Sequence, residues 1–167
     1  MTEPAQIPDQ AAREAAATTF DRNVVVIAGA GTGKTTLLVN RLLYLLMRRT
    51  DPLDLSRIVA LTFTNKAATE MKLRLRERLR SLVNVEGRDN PAAGSGTVSI
   101  ADLRMRYGWT TDEIVARADA ALRDVEKAQI GTLHSFAAHL LRLYPIEAGV
   151  TPTFQTDEDG SRFEEHF

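Results

Sequence analysis

A run of four β-branched residues, Val24–Ile27, leads directly into a glycine-rich turn, and the turn opens an amphipathic stretch. A β-branched run without polar alternation is typical of a strand buried on both faces, as in a parallel sheet. From residue 35 to residue 49, leucines recur at three- and four-residue steps, which predicts a helix with one apolar side. Strand, turn and helix in this order predict an α/β fold, in which a parallel sheet is flanked by helices.

The turn, residues 28–35, reads Ala-Gly-Ala-Gly-Thr-Gly-Lys-Thr. It fits the P-loop pattern of a glycine, four residues and Gly-Lys-Ser/Thr, except that Ala28 replaces the first glycine. Glycines let successive backbone N–H groups turn toward a phosphate, and the helix N-terminus adds the positive end of its dipole. The pattern therefore predicts binding of a purine nucleotide, ATP with Mg²⁺. The alternative is a glycine-rich turn without a ligand.

Within this loop, Lys34 is predicted to reach the β- and γ-phosphates, and the Thr35 hydroxyl is predicted to ligate Mg²⁺. These two are the candidate catalytic residues. The candidate nucleotide-binding residues of the loop are Ala28, Gly29, Ala30, Gly31, Thr32, Gly33, Lys34, Thr35 and Thr36.

Beyond the loop, helix and strand patterns alternate along the chain. Predicted helices cover residues 11–17, 65–82, 100–107, 111–127 and 135–144, and predicted strands cover 58–63 and 129–132. Glycine, proline and asparagine between residues 84 and 97 favour a surface loop. We interpret residues 84–127 as a loop and helical insertion, and Pro145 is expected to stop the last helix.

Composition excludes several classes of protein. The net charge of -1 gives no general attraction to nucleic acid or membrane, so either partner must be argued from local patches. Cysteine is absent, which excludes disulfides and thiolate metal sites. No stretch approaches the roughly 20 apolar residues of a membrane span, and the first residues lack a signal-peptide pattern. We expect a cytoplasmic protein without a membrane partner.

Four segments in fixed order resemble the N-terminal ATPase domain of superfamily 1A helicases, the UvrD/Rep and RecB/AddA-like group. They are residues 7–10, 28–35, 61–71 and 131–136. The third is similar to the family's motif Ia almost letter for letter. The resemblance implies that residues 1–167 are the N-terminal part of an incomplete RecA-like P-loop NTPase domain. It also implies an ATP-dependent DNA helicase, in a helicase-nuclease of recombination or repair.

The resemblance assigns further residues. Gln10 matches the glutamine that pairs with adenine and selects ATP, although a glutamine at a helix start is most often solvated. By resemblance, two segments contact single-stranded DNA without reading its sequence. Their residues are Thr62, Phe63, Thr64, Asn65, Thr132, His134 and Phe136. For Phe63 taken alone, a place in the core is the competing interpretation.

Helicases of this group also need an acidic pair after a hydrophobic strand to hold Mg²⁺ and activate water. Asp112-Glu113 and residues 157–159 lack that context. Later family motifs and a second motor domain are also missing, so the chain is expected to be a truncated piece that binds nucleotide without turnover. A nuclease, on the same chain or on a separate one, is an expected partner of the whole protein.

Three other functions stay open from the residues: a nucleotide-dependent regulatory module without helicase activity, a small-molecule kinase, and a relic that folds poorly. Five cations along the third predicted helix could bind phosphates, but alternate residues point around a helix, so a solvated surface is the preferred interpretation. These cations are Lys72, Arg74, Arg76, Arg78 and Arg80.

Overall fold

A computed structural model describes residues 9–51, 53–84, 96–151 and 153–154. Its elements, in chain order, are α1 (Gln10–Thr18), α2 (Lys34–Leu46), β1 (Val59–Thr62), α3 (Asn65–Val83), α4 (Ile100–Tyr107), α5 (Thr111–Arg123), β2 (Gln129–Thr132), α6 (Leu133–Leu143) and α7 (Pro145–Ala148). Short 3₁₀ turns at Leu55–Arg57 and Val125–Lys127 precede the two strands. The α/β class expected from the sequence is confirmed.

Strands β1 and β2 pair in parallel, with Val59 opposite Gln129 and Thr62 opposite Thr132. Helix α3 leaves the end of β1, and the chain passes through α4 and α5 before it returns as β2. Both strands therefore end at the same edge of the sheet, which is where parallel sheets place their ligands.

The core lies where α3 packs against α2, α5 and β2. Its fully buried side chains come from the helices, in the spacing that an amphipathic pattern requires. They are Val39, Leu43, Met47, Leu75, Leu79, Leu103 and Ile114.

Helices α4 and α5, which the sequence places in an insertion, pack into this same core. Trp109, between them, donates its Nε1–H to the carbonyl of Met47 just after α2, at 2.8 Å. Ser99 and Thr110 each close a capping box at the start of their helices. Such caps stabilise a helix by satisfying its first backbone N–H groups.

The strand predicted over Val24–Ile27 is wrong. This segment belongs to neither strand of the sheet, and Val25 and Ile27 are 87% and 97% exposed. A strand needs hydrogen bonds to a neighbouring strand, and among the described residues none pairs with this segment. β-Branched composition alone therefore did not suffice to form a strand.

Other boundaries differ by a few residues. Helix α2 ends at Leu46 rather than at residue 49, and the predicted helix 111–127 divides into α5 and a 3₁₀ turn. Pro145 does not simply stop the chain's last helix, because it also begins α7 at a position where proline lacks no needed N–H. The predicted loop falls mostly on residues 85–95, which lie outside the described residues.

Within the described part of the chain, no helix combines the length and apolar character that crossing a bilayer demands.

Replacement of Leu75 by alanine should lower the free energy of unfolding by about 2–5 kcal/mol, because a fully buried leucine leaves a cavity when truncated. Leu73 lies on the same helix and is 51% exposed, so Leu73→Ala should change it by less than about 0.5 kcal/mol. Urea denaturation followed by circular dichroism measures both. Equal losses in the two variants would contradict the burial of Leu75 in this core.

Candidate nucleotide and nucleic-acid site

The glycine-rich loop ends at Gly33, which begins α2 as its N-cap. Gly31 and Gly33 have φ angles of +74° and +84°, a left-handed conformation that a residue with a Cβ adopts only with strain. At Gly33, no side-chain cap hydrogen bond to a described residue is formed. The first backbone N–H groups of α2 therefore point into the loop without a helical partner, as an anion-binding helix start requires.

The Lys34 ammonium lies over the loop. Its Nζ donates to the carbonyl of Ala28 at 3.0 Å and to that of Gly29 at 2.5 Å. Thr32 Oγ1 also donates to the Gly29 carbonyl, at 2.8 Å. The lysine and the free helix amides thus face the same small volume, and this arrangement can balance the charge of a phosphate.

Helix α1 lies beside the loop and packs on α2. Between α1, the segment 22–27 and the loop is a cleft of about 930 Å³, whose walls include Arg13, Gly29 and Lys34. Gln10 is the first residue of α1 and is exposed, and it is not among the residues that line this cleft. Thr35 and Thr36 are half-buried in the first turn of α2.

Two arginines that the sequence analysis did not single out connect α1 to its surroundings. Arg13 Nη1 donates to the carbonyl of Thr32 at 2.9 Å, and its Nε donates to Asp9 Oδ1 at 2.8 Å. This guanidinium holds the pKa of the Asp9 carboxyl below its usual range. Arg41 of α2 donates to the carbonyl of Ala16 at 2.6 Å. The spacing of Asp9 and Arg13, four apart on a helix, signals their ion pair. No local pattern signals the bond to Thr32.

The two candidate DNA-contacting segments meet at the carboxyl edge of the sheet, because Thr62 and Thr132 are register partners. Thr62 Oγ1 donates to the carbonyl of Thr64, and Thr64 caps α3 by accepting from Ala67 N at 3.2 Å. Thr132 caps α6 by accepting from Ser135 N at 3.1 Å. The hydroxyls of Thr64 and Thr132 are therefore engaged in helix capping.

Exposure separates the remaining candidates. Phe63 is 94% exposed, which excludes the interpretation that it is a core residue. Asn65 and His134 are also exposed, whereas Phe136 is half-buried and Thr132 is buried. Phe63 is thus the aromatic side chain at this edge with the most surface available to a partner.

The basic residues of α3 are largely engaged by carboxylates. Lys72 and Arg76 both pair with Glu126, and Arg74 pairs with Glu70. The two cations hold the pKa of Glu126 below its usual range. This pairing agrees with the preferred interpretation of α3 as a solvated helix surface rather than a phosphate-binding stripe.

The acidic candidates do not form a metal-holding pair among the described residues. Asp112 and Glu113 lie in the first turn of α5, and Glu113 accepts from the backbone of Thr110 in a capping box. Residues 157–159 lie outside the described residues.

Comparison with known proteins decides the family. The model of the UvrD/REP helicase N-terminal domain matches residues 9–165. The chain belongs to this family. The resemblance carried by the four sequence segments is thereby confirmed.

Three curated relatives of this UvrD/REP family chain are each named as one of the subunits of an ATP-dependent helicase/nuclease. The chain is 30% identical to that of Anoxybacillus flavithermus over 139 residues, 83% of the chain and 9% of the relative. It is 32% identical to that of Desulforudis audaxviator over 147 residues, 88% and 10% respectively. It is 34% identical to that of Bacillus pumilus over 134 residues, 80% and 9%. The chain thus spans about a tenth of these proteins.

Since Thr64 is exposed and caps α3, its replacement by alanine should lower the free energy of unfolding by about 1 kcal/mol. Thr64→Ser keeps the capping oxygen and should leave stability nearly unchanged. Thermal denaturation of both variants tests the cap. A serine variant as unstable as the alanine variant would argue against it.

Proposed function

We propose that this chain is the ATP-binding part of an ATP-dependent DNA helicase, in a helicase-nuclease of recombination or repair. The carrying observation is the loop at the start of α2, where unpartnered helix amides and the Lys34 ammonium face one phosphate-sized volume. Family membership supports the same function, and the names of the relatives support the helicase-nuclease context.

The loop fits the phosphates of ATP residue by residue. The amides of residues 29–36 and the helix dipole would surround the β-phosphate, and Lys34 would exchange its carbonyl contacts for phosphate oxygens. Thr35, half-buried in the first turn of α2, would offer its hydroxyl to Mg²⁺. When bound, the metal neutralises phosphate charge. Gln10 begins the helix beside the loop and is proposed to pair with adenine.

Single-stranded DNA is proposed to cross the carboxyl edge of the sheet. Phe63 can stack on any base, while Asn65 and His134 are exposed polar groups for phosphate oxygens. Because Thr64 and Thr132 use their hydroxyls as caps, their part is to place Phe63 and His134 at this edge. In the wider protein we propose residues 84–127 as an insertion and a nuclease as partner.

Hydrolysis is not assigned to the described residues, since their acidic groups form no pair after a strand. We assign them nucleotide binding and DNA contact. A regulatory module that uses the loop as a switch is separated from a helicase part by whether DNA and nucleotide affect one another.

Lys34→Ala should weaken binding of Mg²⁺-ATP about 10- to 150-fold, because the variant loses charge-assisted hydrogen bonds to phosphate. Lys127→Ala removes the same charge from an exposed lysine that pairs with Asp124, and it should bind as the wild type does. Isothermal calorimetry measures both. Unchanged affinity in Lys34→Ala would refute the phosphate-binding role, and turnover on single-stranded DNA would refute the assignment of binding alone.

Phe63→Ala should weaken binding of a fluorescein-labelled oligothymidine about 5- to 150-fold, the equivalent of one lost base stack of roughly 1–3 kcal/mol. Phe63→Trp retains a stacking surface and should bind nearly as well as the wild type. Met105, on α4 and 85% exposed, provides the control variant Met105→Ala. Fluorescence anisotropy measures the affinities. If Phe63→Ala and Met105→Ala behave alike, the DNA surface lies elsewhere.

A further inference from the structure

Arg13 is the side chain of α1 that reaches the phosphate loop. Its Nη1 donates to the carbonyl oxygen of Thr32 at 2.9 Å, across 19 residues of sequence. The same guanidinium passes close to the next residue, since a Cβ built on Gly33 would lie 3.4 Å from Nη1. Arg13 therefore contacts the loop at the peptide bond that joins Thr32 to Gly33.

That peptide bond carries the N–H of Gly33. A trans peptide is planar, and its C=O and N–H point in opposite directions. No cis peptide occurs among the described residues. Whatever fixes the direction of the Thr32 carbonyl therefore also fixes the direction of the Gly33 N–H. With the carbonyl turned toward Arg13, the N–H is turned away from α1.

The arginine is itself held in place. Its Nε donates to Asp9 one turn earlier, so the fork of the guanidinium is fixed at two points. Helix α1 is tied in turn to α2 by the bond from Arg41 to the carbonyl of Ala16. The contact with Thr32 thus joins the loop to a helix whose position is set independently of it.

Charge alone does not account for this arrangement. Asp9 lies 2.8 Å from Arg13 Nε and offsets its positive charge, so the pair adds little net field at the loop. What Arg13 supplies is direction, because its planar donors suit a fixed two-point contact better than a lysine ammonium does.

We propose that Arg13 is a positioning residue that orients the Thr32–Gly33 peptide and thereby raises the affinity of the loop for the β-phosphate of a nucleotide. This inference rests on the proposed nucleotide binding. It predicts a selective effect, since a ligand that lacks the β-phosphate does not need the Gly33 N–H.

The test compares Mg²⁺-ADP, pyrophosphate and AMP by calorimetry on the 167-residue chain. Arg13→Gln should weaken ADP and pyrophosphate about tenfold, the equivalent of one hydrogen bond to a charged group, and should leave AMP unchanged. Arg13→Lys keeps a donor and should recover affinity to within about threefold of the wild type. Arg22→Gln is the matched control, because Arg22 is 74% exposed and pairs with the neighbouring Asp21.

A second readout does not depend on binding. In ¹⁵N–¹H spectra, Arg13→Gln should shift the Gly33 amide resonance, and Arg22→Gln should leave it in place. Equal weakening of AMP and ADP, or wild-type affinity for ADP in Arg13→Gln, would overturn the inference. If the folded wild type binds no ADP, the proposed function fails. The Gly33 resonance would then still decide whether Arg13 orients the peptide.

Discussion

Everything functional in this chain depends on the packing of α3 against α2, α5 and β2. That contact buries Leu75 and Leu79 completely. Because α2 begins at the phosphate loop and α3 begins at the carboxyl edge of the sheet, one core fixes the starting points of both. The hydrophobic effect, which has no direction of its own, thereby places two directional polar sites on one rigid body.

The sites share a construction principle, since each uses the start of a helix. At α3 and α6 a threonine closes the first turn, and the neighbouring exposed residues, Phe63 and His134, become the available surface. At α2 the corresponding position is Gly33, so the helix amides stay available. The choice between threonine and glycine at one backbone position therefore decides whether a helix start is closed by its own chain or open to an anion.

Local patterns predicted most of the helices and one strand well. The bounds of α4 and β2 match the sequence prediction because apolar spacing, caps and breakers all lie within the segments themselves. Val24–Ile27 failed because strand formation depends on a partner that composition does not report. The link from Arg13 to the loop was invisible for the same reason. It joins residues far apart in sequence, and only the fold of α1 onto α2 brings them together.

Trp109 is the single tryptophan of the chain, and its indole N–H bonds to the carbonyl of Met47 just beyond the end of α2. The guanidinium of Arg49 lies 5.0 Å from the centre of its ring. A helix of this length spans roughly 20 Å, with the phosphate loop at one end and the indole at the other. Indole emission is sensitive to nearby charge and hydration, so the chain carries an intrinsic fluorophore that can report, without a label, on movements of the phosphate-binding helix.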